Sequence, residues 1–98
     1  MNPTDLKKRL SKEIDLGHLP EVLQIETMQK LVYMTMRSLA AEIIKQIPEN
    51  RLTEFNMVND AGDSEKTKAF LGNFIHNLDA FTDDIIRKEV EKFKNSNN

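Results

Sequence analysis

The sequence predicts an all-α fold, a compact bundle of four to five helices around one long central helix (about 20–47). Three observations lead to this prediction. From Pro20 to Ile47 the apolar residues recur with helical spacing and do not alternate as they would in a strand. The chain of 98 residues has only three glycines and three prolines, fewer turn residues than an all-β chain needs. The remaining apolar stretches also have helical spacing, and capping residues separate them.

The central helix has an apolar stripe on one side and is long for so small a domain. The main stripe comprises Ile25, Met28, Val32, Met36, Leu39, Ile43 and Ile47. Four further apolar residues widen it to nearly half of the circumference: Val22, Tyr33, Ala40 and Ile44. Pro20 suits the first turn, and Pro48 ends the helix because the residue before a proline is pushed out of helical geometry. Such a helix would span roughly 40 Å at about 1.5 Å per residue, so we expect the other helices to pack against it.

A shorter helix is predicted within residues 1–18. Its narrow apolar stripe consists of Leu6, Leu10 and Ile14. Asn2 and Pro3 can supply an N-cap and a first-turn proline, and Gly17 is expected to end the helix as a left-handed C-terminal cap. Because the stripe is narrow and close to a terminus, we expect this helix to dock weakly and to be the most mobile element.

Three more helices complete the helical domain, which is predicted to span residues 19–94. The first of them runs from about Glu49 to Asn59, and the second covers about 64–75 with Asp63 or Ser64 as its N-cap. The last helix follows a short connection, His76-Asn77-Leu78-Asp79, in which Asn77 or Asp79 is expected to act as the cap. Residues 95–98 contain only asparagine and serine and are expected to form a disordered tail.

Composition restricts the compartment and the kind of partner. The formal net charge is −2 with both signs interspersed, and no segment is strongly basic, so we do not expect broad contact with nucleic-acid phosphates. The absence of cysteine excludes disulfides and thiolate metal sites. The longest apolar run, Leu31–Met34, is far shorter than the roughly 20 residues that a membrane span requires. We therefore expect a cytoplasmic protein without a membrane contact.

A series of short motifs extends over residues 19–94. It comprises Leu19-Pro20-Glu21, Arg37, Leu39, Leu52-Thr53-Glu54-Phe55, Gly62-Asp63, Phe70-Leu71 and Glu89-Val90-Glu91-Lys92-Phe93-Lys94. This series resembles a family of short, functionally uncharacterised all-helical domains from candidate-phyla bacteria. One position departs from the family pattern, since such domains usually have a proline where this chain has His76. The resemblance implies an all-helical fold and supplies no catalytic residues.

Two segments have the composition of a metal site without its spacing. His76, Asp79 and Asp83 are close in sequence, but a helix break separates the histidine from Asp83 and no second histidine is nearby. We interpret His76 as a loop residue beside the carboxylates at a helix start. The acidic segment 59–65 fails the calcium-loop pattern, because the required acidic positions around Gly62 are occupied by other residues. We expect no metal and no cofactor.

Nucleophilic catalysis requires a serine, threonine or cysteine held beside a base. The serines of this chain occur in no nucleophile motif, neither histidine is paired with one in a recognisable motif, and the glycines are isolated. Carboxylates are abundant, but they alternate with basic residues on predicted helix surfaces, which is typical of a solvated face. We therefore do not expect an enzyme.

The predicted helix pair at about 49–59 and 64–75 offers a nucleic-acid-binding alternative. A glycine lies in its short turn, as in many helix-turn-helix proteins. The residues that would face the groove are Glu65, Lys66, Lys68, Asn73 and His76. Glu49, Glu54 and Asp60 on the first helix of the pair argue against this alternative, since they would lie near phosphates.

The preferred hypothesis is a protein–protein interaction module that binds a protein partner or forms a homodimer. It depends on Leu23, Leu31 and Met34, which lie off the main stripe of the central helix. If the smaller helices cover only one side of the central helix, these three residues would form an exposed apolar patch, and such patches often mark interfaces.

Overall fold

The structure, a computed structural model, describes residues 3–96. These residues form five α-helices and one turn of 3-10 helix, and no strand occurs within that range. The elements are α1 (Pro3–Glu13), α2 (Glu21–Gln46), the 3-10 turn (Glu49–Arg51), α3 (Leu52–Asp60), α4 (Ser64–Leu71) and α5 (Leu78–Ser96). The prediction of an all-α bundle around one long central helix is confirmed.

α2 sets the length of the molecule. It has 26 residues, which correspond to about 39 Å at about 1.5 Å per residue, and the molecule measures 46 × 24 × 18 Å along its principal axes. α1 and α5 both pack along α2, while α3 packs against α4. The helices therefore cover α2 from one side and at its C-terminal end.

The first core cluster joins α1, the N-terminal half of α2 and the C-terminal half of α5. Its buried members are Leu6, Leu10, Ile14, Leu16, Met28, Leu31, Ile86 and Val90. Leu10 and Ile86 are 0 % exposed and Leu6 is 1 % exposed. α1 therefore docks on the bundle, with its narrow stripe at the centre of this cluster, and the strength of this docking stays a prediction. The mobility of α1 also stays a prediction, and the predicted cap at Asn2 lies outside the described residues.

An ion pair adds a second connection between α1 and α5. The Arg9 guanidinium donates a hydrogen bond from Nη1 to Oδ1 of Asp83. Both side chains are partly exposed, so the pair contributes less to stability than the leucines below it. It fixes how α1 lies across α5.

The second core cluster lies at the C-terminal end of α2 and joins it to α3, α4 and the start of α5. Ile47, Phe70, Leu71 and Ile75 are its buried members. The Phe70 ring lies with its centroid 6.0 Å from that of Phe55 and 5.3 Å from that of Phe74. These separations are typical of favourable tilted aromatic pairs.

Side-chain caps set several helix boundaries. Oδ1 of Asp63 accepts hydrogen bonds from the backbone amides of Glu65 and Lys66 at 3.1 and 3.3 Å, and Oδ1 of Asn77 accepts one from the amide of Ala80 at 3.0 Å. Asp63 and Asn77 are thus the N-caps of α4 and α5, as two of the sequence alternatives predicted.

Two predicted helix ends are wrong. α1 ends at Glu13, before Gly17, because the amide of Gly17 donates to Oδ1 of Asp15 at 2.8 Å and this local turn replaces a helix cap. α4 ends at Leu71 and not near residue 75. There the Asn73 side-chain amide donates to the Phe70 carbonyl at 3.2 Å, which satisfies an acceptor that a longer helix would have used.

The C-terminal boundary also differs in part from the expectation. α5 continues to Ser96, so Asn95 and Ser96 of the expected tail are helical. The Ser96 hydroxyl donates to the Lys92 carbonyl at 2.7 Å, which supports this last turn. Asn97 and Asn98 lie outside the described residues.

Candidate protein interface

The three residues of the predicted interface patch do not share one environment. Leu23 and Met34 are exposed, but Leu31 is only 7 % exposed and belongs to the first core cluster. The physical reason is that α1 and α5 pack on the side of α2 that carries Leu31. An Asp substitution at Leu31 would therefore destabilise the core, and it cannot serve as a test of an interface.

A different side of α2 carries the larger exposed apolar surface. We call it the α2 face and define it by Val22, Ile25, Gln29, Tyr33, Met36, Ala40 and Ile44, which follow one another at intervals of three or four residues. Val22, Tyr33 and Ile44 are 66 %, 62 % and 47 % exposed. Residues at such intervals lie along one side of a helix, so the exposed apolar side chains are spread over about 33 Å of α2, with the polar Gln29 and the partly buried Met36 between them.

The α2 face is uncovered because, among residues 3–96, the other helices pack on other sides of α2. α1 and α5 occupy the side that carries Met28, Leu31 and Thr35. The second core cluster covers Ile43 and Ile47 only at the end of α2. The middle of α2 consequently faces solvent on its other side.

Charged side chains border the α2 face. Glu26, Lys30 and Arg37 are exposed and follow one another along one edge of the face, at helical intervals. The guanidinium carbon of Arg37 lies 5.7 Å from the centroid of the Tyr33 ring, a distance at which a cation–π interaction is favourable. At an exposed site such a contact contributes about 0.5–1 kcal/mol.

The sequence pattern places Ile25 and Met36 on the main buried stripe, widened by Val22, Tyr33 and Ile44. The structure leaves Val22, Ile25, Tyr33 and Ile44 exposed, whereas Met36 packs against the first core cluster as expected. Spacing alone gives no signal for this difference. Val22, Tyr33 and Ile44 are eleven residues apart, about three helical turns, but the buried Met28 and Leu39 have the same interval.

The side of α2 away from the α2 face carries two hydroxyl groups, those of the buried Thr35 and the half-buried Ser38. Ser38 Oγ donates to Oε1 of Glu89 on α5 at 2.7 Å, and Lys92 Nζ donates to the same oxygen at 3.3 Å. Thr35 is 1 % exposed, and its Oγ1 has no hydrogen-bond partner among residues 3–96. A buried hydroxyl without a partner costs free energy.

Replacing Thr35 with valine should therefore stabilise the protein. The substitution keeps the size and β-branched shape of the side chain but removes the buried hydroxyl, so we expect the free energy of unfolding to rise by about 1 kcal/mol and Tm to rise by about 4–8 °C. Circular dichroism during heating measures the change. Thr67→Val is the matched control, because the Thr67 hydroxyl donates to the Asp63 carbonyl at 3.1 Å. A loss of stability in Thr35→Val would contradict the expectation.

The residues considered for a metal site do not form a cluster. Asp83 is paired with Arg9 of α1, and His76 is exposed in the connection before α5. Among residues 3–96, no three histidine or acidic side chains are grouped closely enough to hold a metal ion. A shallow concavity of about 580 Å³ lies between the end of α1 and the start of α2, and it is open to solvent.

Of the residues considered for DNA contact, Glu65, Lys66 and Lys68 lie on α4, whereas Asn73 and His76 lie in the connection between α4 and α5. Only eight residues form α4, and the Asn73 side-chain amide, one of the groups considered for base contacts, is bonded to the Phe70 carbonyl.

Arg51 Nε donates to Oε2 of Glu54 at 2.7 Å. This hydrogen bond lowers the pKa of the Glu54 carboxyl and raises that of Arg51.

Arg51 also lies over two aromatic rings of the second core cluster. Its guanidinium carbon is 5.5 Å from the Phe70 centroid and 5.4 Å from the Phe74 centroid. The Arg51 guanidinium thus contacts the Glu54 carboxylate and both rings, and these contacts stabilise the connection between α2 and α3.

Within residues 3–96, no helix combines the length and the hydropathy that a membrane span requires. Comparisons with protein-family models, curated proteins and solved structures found no match for this chain. The resemblance to uncharacterised helical domains of candidate-phyla bacteria stays a prediction.

Proposed function

We propose that this chain is a protein–protein interaction module that self-associates through the α2 face. The observation that carries the proposal is the exposure of Val22, Ile25, Tyr33 and Ile44 on one side of a single long helix. Exposed apolar residues scattered singly are ordinary on a protein surface, whereas several exposed apolar residues along one helix side, bordered by charged residues, are typical of an interface. A second copy of the chain presents the same stripe and can cover it.

The size of the α2 face sets the expected affinity. A helix face about 33 Å long and about 10 Å wide is smaller than the roughly 800 Å² that each partner contributes to a standard interface. We therefore expect a dimer that dissociates on dilution, with a Kd weaker than the roughly micromolar limit of standard-size interfaces.

The test is light scattering behind a sizing column, over loading concentrations from about 1 µM to about 300 µM. The unmodified chain should approach the mass of a dimer at the highest concentration. Tyr33→Glu should remain a monomer throughout, because it places a carboxylate at the centre of the apolar stripe, where it would lose water on association. Absorbance at 260 nm in the same run reports bound nucleic acid, since the chain has no tryptophan and one tyrosine.

Met57→Glu is the matched control for this substitution. Met57 is 69 % exposed on α3, away from the α2 face, and the substitution changes the net charge by the same amount. It should leave the dimer intact. A monomeric unmodified chain at every concentration, or equal dissociation of both variants, would overturn the proposal.

A further inference from the structure

Residues 49–75, which comprise the 3-10 turn, α3, α4 and the start of the following connection, are joined to one another by their own side chains. Arg51, for example, bonds to Glu54 and lies over the rings of Phe70 and Phe74. Within the described residues 3–96, the side-chain hydrogen bonds, ion pairs and aromatic contacts of this segment all have both partners inside it. We call residues 49–75 the α3–α4 lid.

The other helices are connected by polar side chains that cross from one helix to another. Arg9 of α1 bonds to Asp83 of α5, and Ser38 of α2 bonds to Glu89 of α5. Among residues 3–96, the α3–α4 lid has no counterpart of these bonds. Apolar packing in the second core cluster attaches it to the end of α2 and the start of α5, where its neighbours are Ile43, Ile47, Leu78 and Phe81.

Both ends of the α3–α4 lid are suited to act as hinges. Ile47 and Pro48 have extended backbones, with ψ of 128° and 141°, so α2 stops before the lid begins. At the other end the exposed His76 precedes Asn77, which caps α5. Hinge movement in proteins is concentrated at such element-terminal residues. We infer that the α3–α4 lid opens as one unit about these two points while the first core cluster stays packed. The inference goes beyond the proposed function and does not depend on self-association.

Helix length and burial make the α3–α4 lid the less stable part of the molecule. α3 has nine residues, none of them fully buried, and α4 has eight. Isolated helices shorter than about 12–15 residues are marginal in water. Once the lid separates from α2 and α5, its helices therefore lose their hydrogen bonds and its backbone amides exchange with solvent. Opening also uncovers Ile47 and Phe81, so the lid controls access to an apolar surface at this end of α2 and α5.

Hydrogen exchange followed by mass spectrometry tests the opening on the unmodified chain, at about 1 µM to keep it monomeric. After correction for intrinsic amide rates, peptides from α3 and α4 should exchange at least about tenfold faster than those from residues 28–39 and 85–90. Low urea should accelerate exchange in the lid less steeply than elsewhere, because opening exposes less surface than global unfolding. Equal rates with equal urea dependence would overturn the inference, since the chain would then open only as a whole. Lid exchange that does not change with urea would also overturn it, since the residues would then fray singly.

Ile86→Val tests whether the first core cluster stays packed when the lid opens. Ile86 is fully buried in that cluster, so the loss of one methyl group should accelerate exchange of residues 28–39 and 85–90 by about two- to tenfold. Exchange in the α3–α4 lid should stay unchanged, because the contacts of Ile86 persist in the open state. Phe70→Leu is the matched substitution in the lid, and it should accelerate exchange in both regions, since its contacts are lost in lid opening and in global unfolding alike. Equal acceleration of both regions by Ile86→Val would overturn the inference.

Discussion

Replacing Leu10 with alanine should lower the free energy of unfolding by about 3–4 kcal/mol and Tm by about 12–30 °C. Leu10 is fully buried and lies in the first core cluster, where α1 meets α2 and α5. Removal of its side chain leaves a cavity that well-packed neighbours fill only partly. Urea unfolding followed by circular dichroism at 222 nm measures the change, at one fixed protein concentration because dimerisation would add to the apparent stability.

Leu23→Ala is the matched control, because Leu23 is a leucine of α2 that is 45 % exposed. The same chemical change there should cost less than about 1 kcal/mol. If Leu10→Ala costs no more than this control, α1 does not dock in solution as the structure places it. The expectation of a weakly docked first helix would then be supported.

Replacing Phe70 with alanine should lower the free energy of unfolding by about 3–5 kcal/mol. Phe70 is almost fully buried, and it pairs with Phe55 and Phe74 and lies beneath Arg51. The substitution therefore removes apolar burial together with two aromatic contacts, each worth about 0.5–1.5 kcal/mol. The same urea titration measures the loss.

Phe70→Leu separates apolar volume from ring contacts. It keeps a large apolar side chain in the second core cluster but removes the aromatic faces, and we expect it to cost about 1–2 kcal/mol. A cost of less than about 1 kcal/mol for Phe70→Ala would mean that the second cluster is not a packed core. A cost for Phe70→Leu equal to that of Phe70→Ala would mean that the rings supply most of the stabilisation.

The element order could be predicted from the sequence because local chemistry determines it. Pro48 ends the central helix, and Asp63 and Asn77 accept backbone hydrogen bonds at the starts of α4 and α5. Each of these effects involves residues within one turn of chain. They act in the same way whatever the rest of the molecule does.

The side of α2 that is covered could not be predicted in the same way. α2 is apolar on more than one side, and periodicity alone does not say which side receives α1 and α5. The residues that decide it are far away in sequence: Leu6 and Leu10 of α1, and Ile86 and Val90 of α5. Leu31 was therefore placed on an exposed patch and Ile25 in the core, and the structure reverses both assignments.

α2 connects two core clusters that pack separately, one towards each end of the molecule. Thr35 and Ser38 lie on α2 between the clusters, where Ser38 donates to Glu89 of α5 and the buried Thr35 hydroxyl has no hydrogen-bond partner among residues 3–96. An insertion or a change of sequence in α3 and α4 would disturb one end and leave the packing of α1 untouched. Val22, Ile25, Tyr33 and Ile44 of the α2 face lie outside both clusters, so the surface proposed for association can be kept while either end of the molecule diverges.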